Sequence, residues 1–181
     1  MRNRKLQIGV MGSAQDLNYN DTLRDLAREI GREIAKAGHI VVYGAEKDYD
    51  SLSTQAAKGA KVAGGLTVGV TYGKGKDIWE NEGFTDIIIA TGLERGGGRE
   101  FVLVNSCDAI IAISGGSGTL TEIAIAYQSN IPVIVMKGTG GWAKKLGGTY
   151  IDKRNRVLAV EANTAQEAVS MAIRLTTNKQ I

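Results

Sequence analysis

With 181 residues, 43% of them hydrophobic, the chain has the length of one domain and enough apolar content for one sizeable core, so residues 1–181 are expected to form a single domain with no linker. Its 22 Lys and Arg against 19 Asp and Glu leave a formal charge of +3. That charge is spread thinly apart from Arg2, Arg4, Lys5 and Lys153, Arg154, Arg156; nucleic-acid binders carry a denser basic stripe, so these are read as solvated surface and nucleic acid is excluded as a partner.

The first residues, MRNRKLQIGVMGS, run from charge directly into a strand pattern and do not resemble a secretory leader. Nowhere do 18 apolar residues run together, so no membrane span is expected and the cytoplasm is the expected location. In chain order, short runs rich in Val and Ile recur: LQIGVM at 6–11, HIVVY at 39–43, LTVGV at 66–70, TDIIIA at 85–90, DAIIAI at 108–113, IPVIVM at 131–136 and RVLAV at 156–160. They mostly lack strict alternation, as strands covered on both faces do. Pro132 stands at the start of its run, where a missing amide is tolerated.

Between these runs lie helical patterns. In residues 21–38, Leu23, Leu26, Ala27, Ile30 and Ile34 form one stripe, and Gly38 is placed to end the helix. Further helices are expected at 51–63, ending at Gly64 and Gly65, in REFVLVNSC from Arg99, and at about 119–129. The last, at 164–175, opens on a capping-box pattern, Thr164 and Glu167. Alternating strands and helices predict an α/β fold, a Rossmann-like doubly wound parallel sheet with helices on both faces.

In such a sheet ligands bind at the carboxyl ends of the strands. That brings four loops together: MGS at 11–13, YGA at 43–45, Gly96 to Gly98 before Arg99, and SGGSG at 114–118. A glycine-rich loop feeding a helix offers unpaired amides and the positive end of the helix dipole, which suits phosphate; Gly115, Gly116 and Gly118 allow close approach, and Ser117 and Thr119 add hydroxyls.

Other nucleotide motifs do not fit. A dinucleotide fingerprint at 116–121 lacks its third glycine, and no acid ends the next strand at Met136 and Lys137. Gly73-Lys74 and Gly75-Lys76 have Val68 and Val70 where a P-loop wants its leading glycine, and neither lysine is followed by Ser or Thr. His39, the sole imidazole, starts a strand pattern and reads as structural, so no Ser-His-Asp triad is credible. One histidine and one cysteine also argue against a metal site built from those ligands, and Cys107 reads as a buried inert thiol.

Two charged residues near the expected pocket keep two readings each. Arg99 suits an anionic oxygen pair, and equally an exposed surface salt bridge. Thr119 and Glu122 form T-x-x-E, so Glu122 is either a helix cap or functional; in a first helical turn it would stay ionised and serve as a base or a ribose-hydroxyl acceptor.

The stretch GGREFVLVNSCDAIIAISGGSGTLTEI, residues 97–123, resembles the shared signature of the lonely-guy phosphoribohydrolases, long mislabelled lysine decarboxylases, and of the molybdenum-cofactor carrier proteins. It holds their GGxGTxxE element in full, and the likeness extends to IGVMGSA, AAKGAKVAGGLTVGV at 56–70 and IPVIVMKGTGGWAKKL at 131–146, closest to the uncharacterised bacterial and archaeal carrier-like branch. The resemblance implies a Rossmann-like fold and a homo-oligomer, dimer or tetramer. It gives Arg99 and Glu122 the catalytic roles of the hydrolases and places phosphate on Gly115 to Thr119. With the loops gathered at the strand ends, Gly12, Ser13, Gly44, Gly98, Gly115, Gly116, Ser117, Gly118 and Thr119 form the expected phosphate or nucleotide site. Where the hydrolases carry proline and lysine this chain has Ser114 and Glu100. Its second loop, 44–53, has Ala45 for a glycine and adds Asp48 and Asp50.

Three functions follow. The first is binding of a phosphorylated nucleotide-like ligand, a nucleoside monophosphate or a molybdenum (molybdopterin-type) cofactor, in the manner of the carrier proteins, with no cofactor required by the chain itself. The second is phosphoribohydrolysis of a nucleoside 5'-monophosphate, with Glu122 stabilising the ribosyl cation and Arg99 holding an anionic group. The third is a non-catalytic structural or regulatory oligomer. Lysine decarboxylation is rejected, because no lysine site for pyridoxal phosphate emerges.

Overall fold

The computed structural model describes residues 4–76, 78 and 83–178, so Arg2 lies outside the described residues. The strands are β1 (Gln7–Gly12), β2 (Ile40–Gly44), β3 (Leu66–Thr71), β4 (Ile87–Ala90), β5 (Ala109–Ile113), β6 (Val133–Met136) and β7 (Ala159–Ala162). The helices are α1 (Asp21–Lys36), α2 (Leu52–Val62), α3 (Arg99–Asn105), α4 (Ser117–Gln128), α5 (Gly141–Leu146) and α6 (Ala165–Thr177). One 7-stranded sheet has the order β4-β3-β2-β1-β5-β6-β7, and every pairing is parallel. The expected doubly wound α/β architecture is what forms. Among the described residues no helix is long and apolar enough to cross a membrane.

The apolar runs become strands because both faces are covered. On one face Ile8, Val10, Val41, Ile111, Ile113 and Ile134 pack under α1, α2 and α6. On the other, Met11, Val42, Ile110, Ala112, Val133 and Val135 pack under α3, α4 and α5. The stripe of α1 lies as expected, with Ala27, Ile30 and Ile34 fully buried and Leu23 and Leu26 against them. Asn20 caps this helix, its Oδ1 accepting from Leu23 N at 3.0 Å. Helices α1 and α2 touch backbone to backbone: a Cβ on Gly31 would run into the Ala56 carbonyl, and one on Gly59 into that of Arg28.

Several local readings change. β7 starts at Ala159 rather than 156, because Leu158 is held in an antiparallel bridge with Tyr150. The Thr164 hydroxyl accepts from Glu167 N at 3.1 Å as the capping box requires, but the Glu167 carboxylate reaches past it to Asn163 N at 2.7 Å. His39 does serve the fold, its Nδ1 accepting from Leu6 N at 3.3 Å, and Cys107 is buried, its thiol pushed upward by that burial.

The chain turns outward from β1 through β2, β3 and β4, then returns through α3 to lay β5 beside β1. The order therefore reverses between β1 and β5, where an open α/β sheet leaves a crevice at its carboxyl edge.

Candidate functional site

A cavity of about 230 Å³ opens at that reversal. Its walls come from four places: Gly12 to Leu17 after β1, Gly44 to Ser53 after β2, Arg95 to Glu100 at the start of α3, and Gly116 to Glu122 at the start of α4. Of the residues expected to form a site, Gly12, Gly44, Arg99, Gly116, Ser117, Gly118, Thr119 and Glu122 line it together. Ser13, Gly98 and Gly115 stand behind the wall. Ser13 Oγ accepts from Gly115 N at 3.0 Å, joining the loops after β1 and β5. Gly98 starts α3 at φ 120°, its carbonyl accepting from Val102 N at 3.2 Å.

The start of α4 differs from the T-x-x-E reading. The helix begins at Ser117 with Gly116 as its cap, and no side chain caps it. Glu122 therefore sits in the second turn and is not a capping carboxylate, nor is it kept ionised by the first-turn amides. It is 8% exposed, and burial pushes its carboxyl up to about 8 against the pull of Arg99, with Glu100 and Glu46 pushing the same way as burial. That shift favours the protonated form at neutral pH. The direction runs against the expectation of an ionised base.

The loop before α4 is braced from outside. Trp142 N donates to the Gly115 carbonyl and Ala143 N to that of Ser114, both at 3.0 Å. Gly141 permits this approach, since a Cβ there would press on the Ser114 and Gly115 backbone. The GTGGW segment thus builds α5, a helix that its composition did not announce. Ser114 sits at φ 55°, an angle that a proline ring could not adopt at this position.

Arg99 is not an exposed surface arginine. It is 4% exposed, and a Cβ at Gly44 would collide with its guanidinium, so glycine ending β2 makes the room that the arginine fills. Its Nη2 lies 3.2 Å from Glu46 Oε1 and 3.5 Å from Glu100 Oε1. Among the described residues its buried Nε and Nη1 have no hydrogen-bond partner. An unpaired buried donor on a charged group is costly, which marks it as a group awaiting an acceptor. Glu100 is anchored on a second side by Gly96 N, 3.1 Å from its Oε2, so it pins the glycine run that leads into α3.

The acid added by the second loop is arranged unlike its sequence suggests. Asp50 accepts from Ser51 N at 2.8 Å, and Asp48 from the Tyr72 hydroxyl at 3.1 Å. Neither lines the cavity, whereas Glu46 does and bonds Arg95 Nη2 at 2.5 Å. Glu46, Tyr49 and Arg95 were invisible as site residues in the sequence; the one usable signal was a lone arginine immediately before three glycines that lead to another. Among the described residues no group of His, Cys, Asp and Glu could hold a metal ion.

The strand order, the crevice and the glycine-rich loop at its edge define a Rossmann-like α/β protein with its cavity at the switch point. More narrowly, the chain belongs to the SLOG cluster4 family, whose model matches residues 5–170. Among solved structures it is similar to TM1055, with a TM-score of 0.82 and 31% identity over 94% of this chain and 99% of that one. The molybdenum cofactor carrier protein of Chlamydomonas reinhardtii matches with a TM-score of 0.78 and 31% identity, covering 96% and 99%. The molybdenum cofactor binding protein of Rippkaea orientalis matches at 0.77 and 28%, covering 96% and 98%.

Proposed function

We propose that this chain binds a phosphorylated nucleotide-like ligand, a nucleoside monophosphate or a molybdopterin-type cofactor, and acts as a carrier, with the phosphate on the first turn of α4. The observation that carries this is Gly118. Its φ is not in the left-handed region and a Cβ there would meet nothing within 4 Å, so the fold itself does not call for glycine. A bare backbone at the uncapped start of a helix, facing a cavity, is what close approach of a phosphate needs. The unpaired nitrogens of Arg99 in the same cavity suit a second contact to the ligand. The likeness to two proteins described as carrying or binding the molybdenum cofactor supports the carrier role over catalysis. Such a cofactor would bring its own redox metal, and Gly116 to Thr119 with Arg99 would supply binding and shelter from water.

Gly118→Ala tests this directly. The variant should melt at or slightly above the wild-type temperature, because alanine is the better helix former, yet lose the stabilisation conferred by the ligand. For the wild type that stabilisation is roughly 2.7 kcal/mol at 100 times the dissociation constant. Thermal shift with nucleoside monophosphates and a pterin cofactor reads both; equal ligand shifts in variant and wild type would remove the loop from the site.

The second reading, phosphoribohydrolysis, is favoured by one feature: a buried, protonated Glu122 beside Arg99 is placed to donate a proton to a departing base. Release of free base from AMP, abolished in Glu122→Gln, would establish it. The backbone angle at Ser114, which a proline ring cannot adopt, speaks against this second reading.

A further inference from the structure

We propose that the cavity contains a second anion subsite, between Arg95 and Arg99, which Glu46 occupies until a ligand with two anionic groups displaces it. The proposal rests on the reading of α4 as the first phosphate site and narrows the ligand to one bearing a second anionic group, a diphosphate ester being the simplest case.

The Glu46 carboxylate bridges the two guanidinium groups, at 2.5 Å from Arg95 Nη2 and 3.2 Å from Arg99 Nη2. Two arginines converging on one carboxylate is the geometry of an oxyanion site, here filled from within. Filled in this way, the site leaves Arg99 short of partners: among the described residues Nε and Nη1 have none, although the side chain is only 5% exposed. The other carboxylate near Arg99, on Glu100, is tied to Gly96 N and cannot leave without freeing the start of α3. Glu46 carries no such tie and lies in the irregular stretch 45–50 between β2 and α2, which can re-aim it without unmaking a helix or strand.

The subsite also survives its occupant's departure. Arg95 is 47% exposed on its side chain, but its guanidinium stands 5.0 Å from the Tyr72 ring centre and 5.4 Å from that of Tyr49, whose hydroxyl it meets at 2.5 Å. Those rings hold it where it is. With Glu46 in place, two arginines face the two carboxylates of Glu46 and Glu100. Turning Glu46 out removes one negative charge from between the two guanidinium groups, leaving Glu100 as their paired carboxylate and Asp16 elsewhere on the wall, so the field that a second anion meets there becomes more favourable.

Titration of orthophosphate and pyrophosphate into the full chain by calorimetry tests this. Glu46→Gln should tighten pyrophosphate by about tenfold and orthophosphate by less than about threefold, and adding Arg95→Ala should cancel the gain. Glu46→Asp, one methylene shorter and less able to bridge, should move pyrophosphate in the same direction and serves if the glutamine variant does not fold. Unchanged or weaker pyrophosphate binding in well-folded variants would overturn the subsite. If orthophosphate binds in a Gly118-dependent way while Glu46 has no effect, the α4 site stands and this proposal alone fails. If neither anion binds any of the proteins, both fail.

Discussion

Glu122 shows how a single residue's chemistry is set by its surroundings. Its carboxyl is held up to about 8 by burial, against an ordinary value of 4.5. A carboxyl raised in the folded state contributes stability that is complete below 4.5 and is lost as the pH climbs to about 8, at roughly 1.4 kcal/mol per pH unit. Denaturant midpoints of the wild type should therefore fall between pH 5 and 8, and those of Glu122→Gln should fall less steeply. Parallel curves for the two proteins would show that Glu122 titrates in its ordinary range. The same proton decides between chemical roles, since an ionised Glu122 would be a base and a protonated one is a donor.

At the scale of elements, contacts between backbones rather than side chains set the distances. Helices α1 and α2 meet at Gly31 and Gly59, each against a carbonyl of the other helix. Gly31→Ala gains about 1 kcal/mol of helix propensity, yet its methyl must push α2 away, so a net destabilisation of about 2 kcal/mol or more is expected in urea unfolding. A midpoint at or above wild type would mean that the crossing is looser than described. α5 does comparable work at the other end of the sheet, its amides holding the carbonyls of Ser114 and Gly115 so that α4 starts at a fixed place. Ser114 keeps its left-handed angle because those bonds and Thr139 Oγ1, 2.9 Å from its amide, hold it there.

Across the whole molecule, the site exists because the chain reverses its direction of winding between β1 and β5. The bond from Gly115 N to Ser13 Oγ joins the two loops at that reversal over 102 residues of sequence. Ser13→Ala would leave the buried amide unpaired and is expected to cost about 1–3 kcal/mol of stability, with ligand affinity falling as the two loops lose their tie. Urea unfolding and calorimetry on one preparation measure both; full stability in the variant would show that the loops are held by other bonds.

Most of the architecture was legible in the sequence. Seven Val- and Ile-rich runs became seven parallel strands, and the α1 stripe became a buried face, because burial on a sheet or helix imposes a period that neighbouring residues carry themselves. The gathering of Gly12, Gly44, Arg99, Gly116 to Thr119 and Glu122 in one cavity was expected from the glycine loops at the carboxyl ends of the strands. What lay beyond the sequence were facts that depend on distant backbone. T-x-x-E describes a cap, but α4 starts at Ser117, where the Gly115 and Gly116 loop is braced by α5, and so Glu122 falls in the buried second turn. Asp48 and Asp50 stood out as the acids of the second loop, but a loop residue's position says nothing of where its side chain points. Tertiary packing sent Asp48 to Tyr72 and turned Glu46 to the arginines, while Asp50 stayed on the neighbouring amide of Ser51. Local periodicity determined the scaffold; the charge balance of the cavity was decided only by which carboxylates the folded chain buries, anchors to backbone or pairs with its arginines.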